Sequence, residues 1–197
     1  MLAYLVLCFN LVSQAQVVKK IVFIGDSLTA GYGVEKDQAF PALIEKQLNE
    51  KALKVKIVNA GISGSTSASC VSRLKWQLKS KPDVVFIGLG GNDGLRGIDL
   101  KSTEANLRRC IALAEENKLK VIFAGMKLPY NYGEKYRKQF EGVFLKISKS
   151  PSVVFIPFLL KQVGGIKSLN LSDGIHPNSE GHKIIAKTVL PFIERTL

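Results

Sequence analysis

The chain predicts an α/β fold, a three-layer α/β/α sandwich built on a five-stranded parallel sheet, and three observations predict it. Five short apolar, β-branched runs recur along the sequence. Between them, apolar residues return every three or four positions, the period of a helix that buries one face. The segments that follow the runs are rich in Gly, Ser, Asn and Asp, and open α/β sheets bind their ligands beyond the carboxyl ends of the strands.

Residues 20–25 (KIVFIG), 55–59 (VKIVN), 83–88 (DVVFIG), 120–125 (KVIFAG) and 152–156 (SVVFI) read as strands. They are expected to be buried on both faces, because crossover helices cover a parallel sheet. Phe40, Leu43, Ile44 and Leu48 mark one helix face, with Pro41 tolerated in its first turn. Leu107, Cys110, Ile111 and Ala114 mark a second. A last helix begins after Pro177-Asn178 and shows Ile185, Val189 and Phe192 at the same period. Right-handed crossovers place these helices on both faces, giving an open sandwich of flavodoxin-like type.

With 197 residues, 46% of them hydrophobic, the chain is long enough for one well-filled core. No linker, repeat or low-complexity run divides it, so residues 16–197 are expected to form a single domain. Residues 1–15 differ. They carry no charged side chain, residues 2–12 are almost continuously apolar, and Ser13-Gln14-Ala15 offers small residues for cleavage. Crossing a bilayer takes roughly 20 apolar residues, so this stretch reads as a signal peptide removed near Ala15 and implies a periplasmic or secreted protein. Cys8 follows Leu5-Val6-Leu7, but bulky Leu7 stands where lipoprotein processing needs a small residue. Cys70 and Cys110 are then the remaining thiols. Export permits a disulfide, yet free cysteine packs as a small hydrophobe, and two buried unlinked residues are the expectation. Neither has the spacing of a metal site.

Lys and Arg number 28 against 16 acidic residues, a net charge of +12. That balance favours anionic surfaces such as phospholipid headgroups. The lysines are spread over several helices, however, and read first as a solvated cationic surface. No nucleic-acid motif is present. A monomer acting on a small molecule is expected, with no nucleic-acid partner.

The chemistry-bearing residues fall after the strands. Ser27, in Gly25-Asp26-Ser27, directly follows the first strand at a corner where helix N-terminal amides favour a developing anion; the plain alternative is an N-cap serine. Asn92 follows the third strand through Gly90-Gly91, and its amide is a candidate oxyanion donor beside the backbone amides of Gly64 and Ser27. Gly and Asn are also ordinary turn formers. His176 lies three residues after Asp173 across a Gly-containing turn, and an acid so placed orients an imidazole and stabilises its protonated form. His182 has no acid at comparable spacing and reads as a surface or packing residue. The topology brings nucleophile, donors and Asp–His pair to one edge of the sheet.

These blocks resemble the SGNH hydrolases, also called the GDSL family. Gly25-Asp26-Ser27-Leu28, Asn59-Ala60-Gly61-Ile62-Ser63-Gly64, Gly90-Gly91-Asn92-Asp93 and Asp173-Gly174-Ile175-His176 stand in the family's order. Gly94-Leu95-Arg96-Gly97, Leu128-Pro129 and Asn131-Tyr132-Gly133 extend the likeness to its bacterial esterase/thioesterase branch. The resemblance implies a Ser27–His176–Asp173 acyl-enzyme mechanism, an oxyanion hole of Ser27, Gly64 and Asn92, and no metal or cofactor. It implies hydrolysis of acyl esters and thioesters: aryl esters, acyl-CoA, lysophospholipids. A carbohydrate O-acetylesterase is the rival within the family, but Leu28, Leu95 and Leu128 better suit an acyl chain. A non-catalytic anion-binding module leaves the Asp173–His176 pair without a purpose.

Overall fold

The computed structural model describes residues 18–197; the expected leader and Cys8 lie outside them. Five strands, β1 (Lys19–Gly25), β2 (Val55–Gly61), β3 (Val84–Gly88), β4 (Lys120–Ala124) and β5 (Val153–Ile156), form one sheet in the order β2-β1-β3-β4-β5. Every pairing is parallel, with Gly25 in register with both Gly61 and Gly88. The order reverses between β1 and β3, and a crevice opens at such a switch point.

Among the described residues seven α-helices accompany the sheet: α1 (Ser27–Ala30), α2 (Phe40–Glu50), α3 (Cys70–Leu78), α4 (Gly91–Leu95), α5 (Leu100–Glu116), α6 (Glu134–Ile147) and α7 (Ser179–Glu194). The short α1 and α4 stand at the carboxyl edge. α2 and α7 pack together as one layer, and α5 lies between α3 and α6 in the other. Asp99 caps α5 through Ser102 N and Asn178 caps α7 through Gly181 N, satisfying amides that have no partner inside the helix.

Alternation along the strands sorts the aromatic core. Phe23 and Phe86 stack at 4.5 Å on one face, with Phe40 of α2 edge-on to both. Phe123 points to the other face and stacks on Phe144 of α6 at 5.5 Å. The inner strands are buried as expected. β2 and β5 are not, since each is an edge strand with partly exposed residues. Asn49 and Glu45 of α2 cover the open side of β2 by bonding the amides of Val55 and Ile57.

The expectation of two unlinked thiols is corrected. Cys70 and Cys110 form a disulfide, with Cα atoms 5.7 Å apart. Both are fully buried. The reason is the packing of α3 beside α5, which brings the first residue of one against the middle of the other.

Candidate active site

Ser27 is the first residue of α1, not its cap. Asp26 takes the capping role, its carboxylate accepting from Leu28 N at 3.0 Å. Ser27 thus stands on the first turn with its hydroxyl turned toward the last loop. His176 Nε2 lies 2.9 Å from Ser27 Oγ, and His176 Nδ1 lies 2.7 Å from Asp173 Oδ2. A carboxylate only accepts, so Nδ1 carries the proton and Nε2 offers its lone pair to the Ser27 hydroxyl.

The turn from Asp173 to His176 is built for this pairing. Asp173 Oδ1 accepts from the amides of Ile175 and His176, each at 2.9 Å. Gly174 between them has φ +69°, a left-handed conformation for which glycine is suited. The His176 amide, then its ring, then the Ile175 amide hold the Asp173 carboxyl down at about 2. Tyr32 covers the other side of the imidazole, with ring centroids 4.5 Å apart.

Asn92, on α4, has its amide nitrogen 3.1 Å from Ser65 O and 3.5 Å from Asp26 Oδ2. Gly64 precedes Ser65 and adopts φ +77°, so the bond from Asn92 ties the Gly64 turn to α4. Asp93 strengthens the tie. Its buried carboxylate accepts from Ser67 N at 2.8 Å, Ser67 Oγ at 2.5 Å and Thr103 Oγ1 at 3.3 Å, while Asn106 donates to Ser67 Oγ. Arg73 reaches under the strand ends and donates to the carbonyls of Gly25 and Ala60. Asp26, Asp93, Arg73 and Tyr32 were not singled out from the sequence. Asp26 and Asp93 sit inside recognised blocks, so the signal was present; their partners are brought to them only by the fold.

Burial pushes the Asp26 carboxyl up to about 6, against the opposing pull of the Leu28 amide. His182 is a packing residue, fully buried, with Nδ1 accepting from Phe40 N at 3.2 Å. Burial pushes it down to about 4. Its ring joins α7 to the start of α2 and takes no part in the Ser27 relay.

A cavity of about 500 Å³ opens beside Ser27, Asn92 and His176. Leu28, Leu95, Met126, Leu128, Phe158 and Leu160 line it, so all three leucines expected to meet an acyl chain are there. A larger open hollow of about 720 Å³ runs along β2, lined by Lys36, Glu45 and Lys46 among others, and holds none of the relay groups.

A hydroxyl, an imidazole and a carboxylate in relay, beside an apolar cavity at the switch point of a parallel sheet, define a site suited to acyl transfer. The chain belongs to the GDSL-like lipase/acylhydrolase family, whose model matches residues 23–184, and it is a hydrolase of that family. It is 37% identical over 175 residues to the thioesterase 1/protease 1/lysophospholipase L1 of Escherichia coli strain K12, covering 88% of this chain and 82% of that one. It is 35% identical over 186 residues to an arylesterase of Vibrio mimicus, covering 94% and 93%. A crystal structure of TesA matches with a TM-score of 0.88 and 35% identity, over 91% of this chain and 100% of that one.

Proposed function

We propose that this protein is an exported serine esterase and thioesterase that cleaves acyl esters and thioesters, including aryl esters, acyl-CoA and lysophospholipids. The observation that carries the reading is the unbroken Ser27–His176–Asp173 chain of hydrogen bonds opening on an apolar cavity. The names of the relatives support the substrate range. The buried Cys70–Cys110 bridge supports export, since disulfides persist in oxidising compartments.

Ser27 Oγ attacks the acyl carbonyl as its proton passes to His176 Nε2. Asp173 stabilises the imidazolium and keeps the ring in place. Negative charge gathers on the carbonyl oxygen, where the amides of Ser27 and Gly64 and the Asn92 side chain donate. The 3.5 Å contact from Asn92 to Asp26 is the weaker of its two bonds, and it is the one exchanged for the oxyanion. Collapse breaks the bond to the alcohol or thiol, which leaves with the proton from Nε2. Water, deprotonated by the same nitrogen, then attacks the acyl-enzyme and restores Ser27.

The wall of leucines, Met126 and Phe158 favours an acyl chain over an acetyl group, and with it an esterase/thioesterase over a carbohydrate O-acetylesterase. Purified Ser27→Ala protein should keep its fold and lose hydrolysis across a panel of p-nitrophenyl esters, acyl-CoAs and lysophospholipids. Retention of more than a few per cent of turnover would remove Ser27 as nucleophile. A parent enzyme that turns over acetylated sugars faster than any longer acyl substrate would transfer the site to the rival class.

A further inference from the structure

Because the sheet is parallel, the connections from helix ends back to strand starts gather on the edge opposite Ser27. They are residues 51–54, 79–83, 117–119 and 148–152. These short stretches contain six lysines, Lys51, Lys54, Lys79, Lys81, Lys118 and Lys149, and one carboxylate, Asp83. Asp83 is already engaged by Lys19 Nζ and Lys20 N, each at 2.9 Å. Lys51 is paired with Glu194. The other five lysines are exposed, and among the described residues none has a carboxylate within ion-pair distance. On the Ser27 edge, by contrast, the connections carry cations and carboxylates in near-equal number. Glu50, Glu115, Glu116 and Glu194 at the adjoining helix ends border this edge, but the connections themselves carry a net excess of cations that those of the Ser27 edge lack.

Lysines near helix C-termini also complement the helix dipole. That role is already filled in the last turns of α3 and α6 by Lys75 and Lys146. Moreover, Lys81 and Lys118 have φ of 51° and 58°, just past a helix end, where glycine is the residue that fits without strain. Apolar side chains stand among the cations: Trp76, the chain's single tryptophan, is 66% exposed, with Lys79 Nζ 3.9 Å from its ring centre. Leu53 and Val18, 37% and 54% exposed, lie at the same edge. Tryptophan settles at the headgroup level of a bilayer, its ring in apolar and its N–H in wet surroundings. The connections offer lysine point charges and no arginine forks, which fits a diffuse lipid surface better than nucleic acid.

We propose that this edge is a docking face for anionic phospholipid bilayers, which holds the molecule with the Ser27 cleft turned away from the membrane. The proposal does not depend on the acyl-transfer reading, since its readout is binding. The test is flotation of the full chain with phosphatidylcholine vesicles, with and without phosphatidylglycerol, while Trp76 emission is followed with and without brominated lipid. Binding should require phosphatidylglycerol, weaken steeply with salt, shift Trp76 emission to the blue and expose it to bromolipid quenching. The variant Lys54→Gln/Lys81→Gly/Lys118→Gly/Lys149→Gln should bind at least a hundred-fold more weakly, at about five-fold per lysine. It should keep its turnover of a soluble p-nitrophenyl ester. Neutralising Lys36, Lys161 and Lys167 on the Ser27 edge should leave vesicle binding within a few-fold. Equal binding to neutral vesicles, as an apolar leader left in place would give, overturns the proposal. So does undiminished binding by the four-lysine variant. Binding to DNA or heparin in preference to vesicles, with Trp76 unquenched by bromolipid, would assign the face to a soluble polyanion.

Discussion

Removing the Cys70–Cys110 bridge should weaken the fold by an amount that its place in the chain sets. The bridge closes a loop with a sequence separation of 40, and restricting a loop of that length in the unfolded chain is worth about 4 kcal/mol at 25 °C. The perturbation is the double variant Cys70→Ala/Cys110→Ala, compared with the parent in urea without reductant. At a denaturant slope of about 2 kcal/mol per molar, the urea midpoint should fall by about 2 M. In a thermal scan the loss corresponds to roughly 10 °C. Both sulfurs are fully buried, so lost packing adds to the loss and does not offset it. Turnover at 25 °C should stay close to the parent's, because Ser67 and Asp93 hold the Gly64 turn independently of the bridge. Thiol titration of the unfolded parent should find no free sulfhydryl once any uncleaved leader, with Cys8, is accounted for. A midpoint unchanged within about 0.3 M, in a parent shown to be bridged, would refute the loop-entropy argument.

The two histidines separate catalysis from packing: His176→Ala should lower kcat by several orders of magnitude with little loss of stability, whereas His182→Ala should lower the urea midpoint and leave kcat within a few-fold; the reverse pattern would reject the relay. A second expectation concerns pH, because two buried groups pull in opposite directions. His182 falls from 6.5 to about 4 on folding, so the unfolded chain takes its proton first and the fold weakens as pH drops from about 6.5 to 4, by on the order of 3 kcal/mol. Asp26 rises from 3.8 to about 6, so the folded chain holds its proton longer and the fold weakens as pH climbs from about 4 to 6, by a similar amount. Asp26→Asn should therefore show stability rising more steeply with pH across that window than the parent, and His182→Gln should show the opposite tilt; urea midpoints that run parallel in all three proteins would dismiss both shifts.

The fold class and the strand count were legible because each depends on local pattern, while Ser27 and the Asp173–His176 pair, each ambiguous alone, were joined by topology and family resemblance and lie within hydrogen-bond distance in the fold. An apolar run buried in a parallel sheet looks the same wherever it occurs, and a separation of three residues keeps Asp173 and His176 near each other. Even Leu28, Leu95 and Leu128 were foreseeable as cavity residues, since each follows a strand on the edge where the chemistry lies. Other features depend on distance in space, which composition and periodicity do not encode. Whether Cys70 meets Cys110 turns on how α3 lies against α5. His182 carries no local sign that Phe40, far away in sequence, will bury it. The lysines of the sheet's amino edge stand in four separate stretches, each unremarkable alone, and become a patch only when parallel strands align their starts. The helix α6 is a different case: Phe140, Val143, Phe144 and Ile147 repeat at helical spacing, and the pattern was there to be read.

The recognised blocks do more than supply reacting groups. In two of them, a cavity-lining residue has a neighbour in sequence that braces the protein, although Asp26, unlike Asp93, also lines the cavity. Ser27 offers its hydroxyl to the cavity while Asp26 caps α1 and touches the Asn92 amide. Asn92 lines the cavity while Asp93 turns away and fixes Ser67. Adjacent residues on a first helical turn point roughly a quarter-turn apart, so a two-residue unit spans the boundary between reaction space and support. The consequence is that the proposed nucleophile and oxyanion donors share one connected frame: Asn59 of β2 holds α1 by donating to Thr29 O, α4 reaches the Gly64 turn through Ser65 and Asp93, and Arg73 clasps the ends of β1 and β2 beneath them. Donors held to each other in this way need little reorganisation when charge appears on the substrate oxygen, and that preorganisation, more than any single hydrogen bond, is what an acyl-transfer site requires of its fold.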